Sequence, residues 1–499
     1  MISKKKYLEL CKLFNSILKS SESNLETISI PWLHIIREHP IFLNRYKKII
    51  KHSFFELFFN KVKNNIFLLL QLYKSLYTKK NSYWFGSNQY EKNIDYLFVS
   101  HLINKNNFSI DEDMYFSNIP LQLKKKGKKV ATSALVAINN SNFFFKKYFR
   151  QGNLDRYFFN SSLTFFNEIR LYIRLRKESK RLKRKSKLSI QSSLEQKVYH
   201  LASMEAISKG SLDNLRLHKQ IQKLVEKLNP KLIITTYEGH AFERIIFHAA
   251  RSINPKIICV SYQHSVIFPL SNSIKIKLSE KYNPDYILTT GKTTRDEFLS
   301  IIDLQPIKIM EFGSNRGIYE NEPLANIESH NFSCLVLPEV FLSECNFLFE
   351  FSLKCAMKNP NIEFIWRLHP GVSFNHVFKQ NKNLSDIPEN IILSKSSLEQ
   401  DIRRSKWALY RGSTAVFKAL SYGLRPLYLA NENEISIDPL FNFKKFKYIV
   451  NEPARLNSFI QNDIKNNFIE HTKFSKISKN HCKNQFSSFS LKPLENILN

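Results

Sequence analysis

The stretch PKLIITTYEGHAFERIIFHAARSINPKIICVSY, residues 230–262, decides the fold of this chain. Leu232–Thr236 is a short apolar run of the kind found in buried strands, and Lys256–Tyr262 is a second one. Between them, Ala241–Ser252 has the apolar spacing of an amphipathic helix. Because parallel strands need a crossover connection, usually a helix, this stretch predicts an α/β fold with a parallel sheet.

The same alternation continues on both sides of this stretch. Upstream, Asp95–Ser100 and Lys129–Ile138 are strand-type runs with a short helix, Pro120–Lys126, between them. Downstream, Asn315–Asn331 has the polar composition of a linker, after which the alternation restarts. Further strands are predicted at Asp285–Thr289, Ile307–Phe312, Ser333–Leu337, Ile362–Arg367, Ile391–Leu393, Trp407–Tyr410 and Arg425–Leu429, and further helices at residues 160–228, Thr293–Ser300, Glu344–Met357, Leu398–Arg404 and Thr414–Tyr422. The pattern predicts two Rossmann-like domains in tandem.

The 499 residues exceed the ~250 to 300 that a single core covers, which also favours several domains. We predict a helical N-terminal extension over residues 1–92 that includes a helix at Phe54–Leu76, Rossmann-like domains over 93–314 and 315–440, and a C-terminal helical segment over 441–499. The first of the two α/β domains is expected to hold the acceptor and the second the nucleotide. Packing of the C-terminal segment back across the first half is one arrangement this division allows.

A formal charge of +32 indicates an anionic partner: nucleic acid, an anionic membrane face or an acidic substrate. The densest basic cluster is RLYIRLRKESKRLKRKSK, Arg170–Lys187. Two interpretations of it stay open, a solvated helix face and an attachment to anionic lipid. Nucleic acid is the least favoured partner, because basic residues are spread along the whole chain without a reader motif.

The six cysteines show neither a CxxC pair nor a His-rich segment beside them, which favours reduced thiols over a zinc site or a disulfide framework. The N-terminus lacks a signal pattern and no window reaches ~18 consecutive apolar residues. We therefore expect a cytoplasmic protein, either soluble or peripheral at the inner face of the membrane.

The chemistry is expected where strands end, because ligands of open parallel sheets bind beyond the carboxyl ends of the strands. Glu238 follows the strand Leu232–Thr236 and is either a general base or a cap of the next helix. Gly239 allows close approach of backbone or substrate, and His240 adjoins it. His264 follows the next strand and is the reserve candidate for the base. Gln263 and Arg367, also at strand ends, complete the residues predicted to contact or support the acceptor.

The second half of the chain offers groups suited to a nucleotide phosphate. His369 is held extended by Pro370 and could donate a hydrogen bond to a phosphate oxygen, or could be satisfied within its loop. Tyr410-Arg411-Gly412-Ser413-Thr414 precedes a predicted helix whose N–H groups attract anions, although a plain N-cap is the simpler use of Ser413 and Thr414. Arg411 could add a bidentate phosphate contact. Glu339, after another strand, either faces the nucleotide or caps the helix that follows.

Asp111-Glu112-Asp113 has the spacing of an Asp-x-Asp metal–nucleotide motif. It lies in a polar loop before a helix, where acidic residues are electrostatically favoured, so we interpret it as structural.

In their order along the chain, Glu238-Gly239, His369-Pro370 and Ser413-Thr414 resemble the three signatures of bacterial sialyltransferases and related CMP-sugar transferases of the glycosyltransferase-B (GT-B) type. The segments YEGHAFERI, SYQHS, RLHPG and YRGSTAVFKALSYG also resemble surface-carbohydrate biosynthesis proteins of that frame. The resemblance covers roughly residues 94–430. Tyr237 stands where the sialyltransferase pattern has a further acidic residue, which is a departure that bears on donor and acceptor identity.

The resemblance implies roles for these residues. Glu238 would deprotonate the acceptor hydroxyl, while His369, Ser413 and Thr414 would hold the departing phosphate. It implies inversion at the anomeric carbon, no obligatory metal, and no cofactor beyond the nucleotide-sugar co-substrate. The acceptor would be a surface polysaccharide or glycolipid, with peripheral contact to an anionic membrane and no nucleic-acid partner. The alternatives are a UDP- or GDP-sugar or polyol-phosphate donor, a non-catalytic scaffold, and a nucleic-acid-binding protein.

Overall fold

A computed structural model of the chain describes residues 2–49, 54–78, 82–87, 91–103, 111–137, 152–191, 193–317, 332–384, 386–466 and 469–498. Four helices come first: α1 (Lys4–Lys19), α2 (Leu25–Ile28), α3 (Pro40–Leu43) and α4 (Phe54–Leu76). Side chains of α1 and of the segment after α2 share one hydrophobic cluster with Ile245 and Tyr282, so the extension is built onto the first α/β domain.

The first sheet has eight strands, seven of them parallel. They are β1 (Trp84–Gly86), β2 (Tyr96–Leu102), β3 (Val130–Val136), β4 (Asp155–Phe159), β5 (Leu232–Thr236), β6 (Ile258–Tyr262), β7 (Tyr286–Thr289) and β8 (Lys308–Glu311). Their order is β1-β4-β3-β2-β5-β6-β7-β8, and β1 pairs antiparallel to β4 at the edge. The run β4-β3-β2-β5-β6-β7 is the doubly wound Rossmann order, whose topology reverses between β2 and β5.

Helices cover both faces of this sheet, which explains why β5 is buried along its whole length and β2 and β6 at all but one residue each. They are α5 (Ile119–Lys125), α6 (Phe165–Leu188), α7 (Leu194–Glu205), α8 (Lys209–Leu228), α9 (Ala241–Ile253) and α10 (Lys292–Leu299). Helix α8 shows how the boundaries arise: the Ser208 hydroxyl accepts the N–H of Ser211, and Asn229 ends the helix in the left-handed conformation.

The second sheet has six strands, all parallel: β9 (Ser333–Leu337), β10 (Glu363–Trp366), β11 (Ile391–Leu393), β12 (Trp407–Tyr410), β13 (Arg425–Leu429) and β14 (Tyr448–Val450). Their order, β11-β10-β9-β12-β13-β14, is again the Rossmann order, with its reversal between β9 and β12. The remaining helices are α11 (Leu342–Lys358), α12 (Phe374–Gln380), α13 (Leu398–Arg403), α14 (Val416–Ser421), α15 (Pro453–Lys465), α16 (His471–Gln485) and α17 (Lys492–Leu498). Two Rossmann-like domains with an N-terminal helical extension form a GT-B-like architecture, which confirms the predicted fold class.

The end of the chain returns to the first domain. Helix α16 packs on the second domain through Phe474 and Cys482, and then the Ser487 N–H donates to the Thr290 carbonyl at 2.9 Å. Leu494 and Ile497 of α17 lie in the core beneath β2 and β3. The two α/β domains are therefore joined by a second stretch of chain besides the segment after β8.

Several local predictions need correction. Strands β1, β4 and β14 were missed, and β1 and β14 lie in ranges predicted to be helical. The helical stretch over 160–228 is three helices that begin only at Phe165. The helix predicted over Thr414–Tyr422 begins at Val416. Residues 318–331 of the predicted linker lie outside the described residues.

The basic cluster Arg170–Lys187 lies on α6 and divides into two groups. Arg174 pairs with Glu26 at 2.6 Å, and Arg181 and Lys185 both pair with Glu22. The other cations point to solvent: Arg170, Arg176, Lys177, Lys180, Lys183, Arg184 and Lys187. Part of the cluster thus attaches the extension to α6, and the rest is an exposed basic face.

All six cysteines are buried, and none of them forms a disulfide. Among the described residues, we find no helix whose length and hydropathy would let it span a bilayer.

Candidate functional site

The two topological reversals bring together the loops that carry the candidate residues. Glu238 follows β5 at the reversal of the first sheet, while Glu339 and Arg411 follow β9 and β12 at the reversal of the second. One hydrogen bond connects the two domains here: Arg316, after β8, donates from Nη1 to Oγ1 of Thr414, after β12, at 3.1 Å. This contact holds the loop after β8 against the loop after β12, and Glu238 lies within electrostatic reach of the same Arg316.

Glu243, and not Glu238, caps helix α9. Its carboxylate accepts the backbone N–H groups of Glu238, Gly239 and His240 at 2.8 to 3.1 Å. Gly239 has φ +88°, and a Cβ there would lie 2.4 Å from the backbone of Ser273 and Ile274. Only glycine fits this turn, and the turn leaves the Glu238 carboxylate free for another use.

The Glu238 carboxylate is open to water on one side, with its side chain 30% exposed, and is crowded on the others. Its Oε2 lies 3.3 Å from Nε2 of His240. Burial alone would raise the pKa of Glu238, but the hydrogen bond with His240 and the proximity of His264 hold that pKa well below its usual range. The pKa of His240 is raised, because its pairing with Glu238 and the nearby Glu243 outweigh its burial. Both shifts favour an ionised carboxylate beside a protonated imidazole.

His264 also lies within electrostatic reach of Glu238. Its ring packs 4.5 Å from the ring of Tyr115, and burial lowers the pKa of His264 so that the imidazole is neutral at pH 7. His101, in β2, has its pKa lowered to about 4 by burial and packs edge-on against Phe242. His101 and Tyr115 were missed by sequence reasoning, because neither follows a strand end.

Gln263 is fully buried, and neither atom of its side-chain amide has a hydrogen-bond partner among the described residues. It follows the last residue of β6 and has no exposed surface. A supporting role is the one its position allows.

Arg316 is the main residue that sequence reasoning missed. Besides donating to Thr414, it lies within electrostatic reach of Glu238, Tyr115 and His369. Burial in the cleft lowers the pKa of Arg316, yet a guanidinium stays charged at neutral pH. It therefore places a fixed positive charge between the candidate base and the candidate phosphate groups.

His369 is exposed at the cleft side of the second domain. Its Nδ1 accepts the N–H of Gly371 at 3.1 Å, so Nδ1 is unprotonated and Nε2 carries the proton. Burial and the charge of Arg316 lower the pKa of His369, which keeps this neutral tautomer at pH 7. Pro370 is exposed beside it. The ring thus presents one N–H donor, the group that a phosphate oxygen requires.

Ser413 and Thr414 do not cap helix α14. That helix begins at Val416 with Ala415 as its N-cap, and no side-chain hydrogen bond caps it. Both residues are only half-buried, and Thr414 meets Arg316 instead. The capping interpretation is wrong, and the Thr414 hydroxyl on the loop after β12 accepts a hydrogen bond from Arg316.

The predicted phosphate contact of Arg411 requires correction. The side chain is 3% exposed, donating from Nε to Glu344 at 2.8 Å and from Nη2 to Glu434 at 2.5 Å. With two carboxylates neutralising it, Arg411 holds the loop after β12 in place. Burial raises the pKa of Glu344, an effect that Arg411 opposes.

Glu339 also has a structural partner. His39 of the N-terminal extension lies 2.7 Å from its carboxylate. A Cβ at Gly412 would lie 2.5 Å from Glu339 Cδ, so Gly412 is there to let the two loops touch. Arg367 donates to buried Asp401 at 2.8 Å and to the Ser396 carbonyl at 2.7 Å, inside its own domain. The polar contacts of Glu339 and Arg367 are therefore structural ones, with His39 and with Asp401 and Ser396.

The carboxylates of Asp111 and Asp113 accept hydrogen bonds from backbone N–H groups. Asp113 accepts the N–H groups of Tyr115 and Phe116 at 2.8 and 3.0 Å, and Asp111 accepts that of Asn153 at 2.7 Å. Over the described parts of the chain, no three His, Cys, Asp or Glu side chains converge as a metal site would require.

Comparison with known proteins gives structural similarity alone. No protein-family model and no curated protein matches the chain. Among solved structures, it is similar to UDP-GlcNAc 2-epimerase from Neisseria meningitidis bound to UDP-GlcNAc, at 12% identity and a TM-score of 0.45 over 81% of this chain and 99% of that one. It is also similar to MurG of Acinetobacter baumannii (9%, TM-score 0.44, 81% and 99% covered) and to the glycosyltransferase SnogD of Streptomyces nogalater (10%, TM-score 0.43, 81% and 100% covered). The fold assignment rests on the strand order and register of the two sheets.

Proposed function

We propose that this protein is a nucleotide-sugar-dependent glycosyltransferase that works by a single inverting displacement. The observation that carries the proposal is the arrangement across the cleft. An ionised Glu238, paired with His240, lies on one domain, while His369, Ser413 and Thr414 lie on the other with Arg316 between them. A base and a set of phosphate donors on opposite sides of one cleft are what glycosyl transfer requires.

In the proposed reaction, the acceptor hydroxyl attacks the anomeric carbon of the donor while Glu238 takes its proton. The bond between that carbon and the phosphate oxygen breaks, and its electron pair leaves with the nucleotide. The negative charge that develops on the phosphate is met by His369 Nε2–H, the two hydroxyls and the Arg316 guanidinium. These groups are in place before the reaction, so they stabilise the leaving phosphate without having to reorganise. Attack from the face opposite to the leaving group inverts the anomeric configuration.

His264 is a second candidate for the base. Its neutral imidazole can also accept a proton, and it lies within electrostatic reach of Glu238. Rates of Glu238→Gln and His264→Gln separate the two, since the variant that removes the base loses turnover without losing nucleotide affinity.

For the donor we propose a CMP-activated acidic sugar, and for the acceptor a surface polysaccharide or glycolipid. The order of the three short motifs supports this donor, and the +32 charge suits an acidic sugar and a polyanionic acceptor. Phosphate stabilisation by side chains makes a metal ion unnecessary in the proposed mechanism.

Calorimetric titration with CMP, UMP, UDP and GDP tests the proposal. We expect CMP to bind selectively, His369→Ala to lose that binding, and His376→Ala to retain it. His376 is a matched control because it is an exposed histidine on α12 of the same domain. Selective binding of UDP or GDP would keep the transferase and replace the donor. If none of the four binds, the proposal is wrong.

A further inference from the structure

Helix α4 is apolar on the side that faces solvent. Seven large side chains on this side have exposed fractions between 37% and 73%. They are Val62, Ile66, Leu69, Leu70, Tyr73, Leu76 and Tyr77, and we call them the α4 stripe. Their spacing of three or four residues places them along one helical face. At 1.5 Å per residue the stripe is ~23 Å long.

The opposite face of α4 fixes its orientation. Phe67 and Leu68 pack on the hydrophobic cluster formed by α6 and α8. Gln71 donates to the Ser161 carbonyl at 2.9 Å, and the hydroxyls of Thr78 and Ser162 lie 2.7 Å apart. Because the inner face of α4 is already packed on the protein, the α4 stripe is a second apolar surface that faces solvent.

A contiguous apolar surface of this kind marks a contact with a protein partner or a membrane, because monomeric soluble proteins keep such patches small. The charges around the stripe indicate which of the two it is. Residues 62–78 include no acidic residue, and Lys63 and Lys74 are exposed at the margin of the stripe. Beside it, Phe166 and Ile173 of α6 are exposed at 75% and 48%, with the exposed Arg170 between them.

Apolar side chains flanked by lysine and arginine, with tyrosines at one end, are the surface of a helix that lies in the interface of an anionic bilayer. Binding of a second copy of the chain at this surface is disfavoured, because each copy carries a formal net charge of +32 and the two would repel each other. An anionic bilayer is attracted to those same charges.

We propose that α4 and the first turns of α6 form a membrane-contact surface, with the α4 stripe inserted among the headgroups of anionic lipids. The contact uses no residue of the cleft, so it holds or fails independently of the proposed transferase activity. In this contact the exposed basic face of α6 attracts the anionic headgroups, and the α4 stripe supplies the apolar part of the binding.

Vesicle co-sedimentation of the full chain tests this surface. The vesicles are phosphatidylcholine alone, or phosphatidylcholine mixed with phosphatidylglycerol, and no nucleotide is added. The test variant is Ile66→Ser/Leu69→Ser/Tyr73→Ser, whose positions are 52%, 67% and 60% exposed. The matched control is Leu299→Ser/Ile302→Ser/Met357→Ser, which changes three scattered apolar residues exposed at 55%, 81% and 66%.

We expect the wild type to bind the phosphatidylglycerol vesicles far better than phosphatidylcholine alone, and to be released by salt. The test variant should lose affinity by at least about tenfold, since three inserted side chains return to water. The control variant should bind as the wild type does. Circular dichroism melting shows that both variants are folded, which exposed positions permit.

Equal binding of the test variant and the wild type would overturn the proposal. It would also be overturned if sedimentation showed the wild type as a dimer that the test variant converts to monomer, because a second copy would then cover the stripe. Binding that is the same with and without phosphatidylglycerol would refute the choice of anionic lipid.

Discussion

Arg316 gives the sharpest test of the cleft, because it is an exposed residue whose replacement removes a positive charge. The side chain is exposed to the cleft and makes one hydrogen bond across it, to Thr414 at 3.1 Å. We predict that Arg316→Ala weakens binding of the nucleotide phosphate while leaving the fold intact.

The size of the effect follows from the geometry. A hydrogen bond to a charged group contributes roughly 1.5 to 3 kcal/mol, which corresponds to about ten- to a hundredfold in affinity. The full Coulomb attraction at ~4 Å would be about 4 kcal/mol near a protein surface, but the cleft is open to water and screening reduces it. We therefore expect a loss of about ten- to a hundredfold for CMP.

The assay is calorimetry with CMP and with cytidine, which differ only in the phosphate. Arg316→Ala should weaken CMP and leave cytidine unchanged. Arg295→Ala is the matched control: it removes the same charge at a side chain that pairs with Asp296 at 2.9 Å. Equal losses for CMP and cytidine, or equal losses in the two variants, would refute a direct phosphate contact.

Three further outcomes follow from the loop after β5. Glu238→Gln should lower kcat by about 10²- to 10⁴-fold in a donor-consumption assay while nucleotide affinity is unchanged, and a normal rate would exclude Glu238 as the base. His240→Gln removes the main group that lowers the pKa of Glu238, so the acidic limb of kcat/KM should move to higher pH, toward 4.5; a limb that stays in place would refute the pairing. Gly239→Ala should lower Tm more than Gly127→Ala does, because both have positive φ but a Cβ at Gly127 meets nothing within 4 Å; equal losses would show that the close contact of Gly239 does not matter.

Most of the fold could be read from the sequence because its parallel strands are buried on both faces. Such strands are continuous apolar runs, and Leu232–Thr236, Trp407–Tyr410 and Arg425–Leu429 were predicted with the boundaries the structure has. Strands β1 (WFG) and β14 (YIV) have three residues each and lie within ranges predicted to be helical, whereas the equally short β11 is an all-aliphatic run (IIL) inside the predicted α/β alternation. Strand β4 (DRYFF) begins with two charged residues and lies at the end of the parallel run, where polar residues are tolerated.

Site residues could be predicted from the sequence only where they closely follow the end of a strand. Glu238 and His369 follow strands, and the structure places both at the cleft. Arg316 was missed because its partner Thr414 is 98 residues away in sequence, and only the docking of the two domains brings them together. Arg411 was assigned to phosphate because a sequence does not show that two carboxylates, Glu344 and Glu434, already neutralise it.

The return of the C-terminus to the first domain has a mechanical consequence. Ser314, on the outgoing chain, pairs in parallel with Ser488 on the returning chain, and its N–H donates to the Ser487 carbonyl at 2.8 Å. Gly313 has φ +97° there, which brings the two chain segments into contact. Two crossings held side by side restrict twisting of one domain against the other more than a single crossing would, because both connections would have to deform together. The same restriction helps to keep Arg316 opposite Thr414.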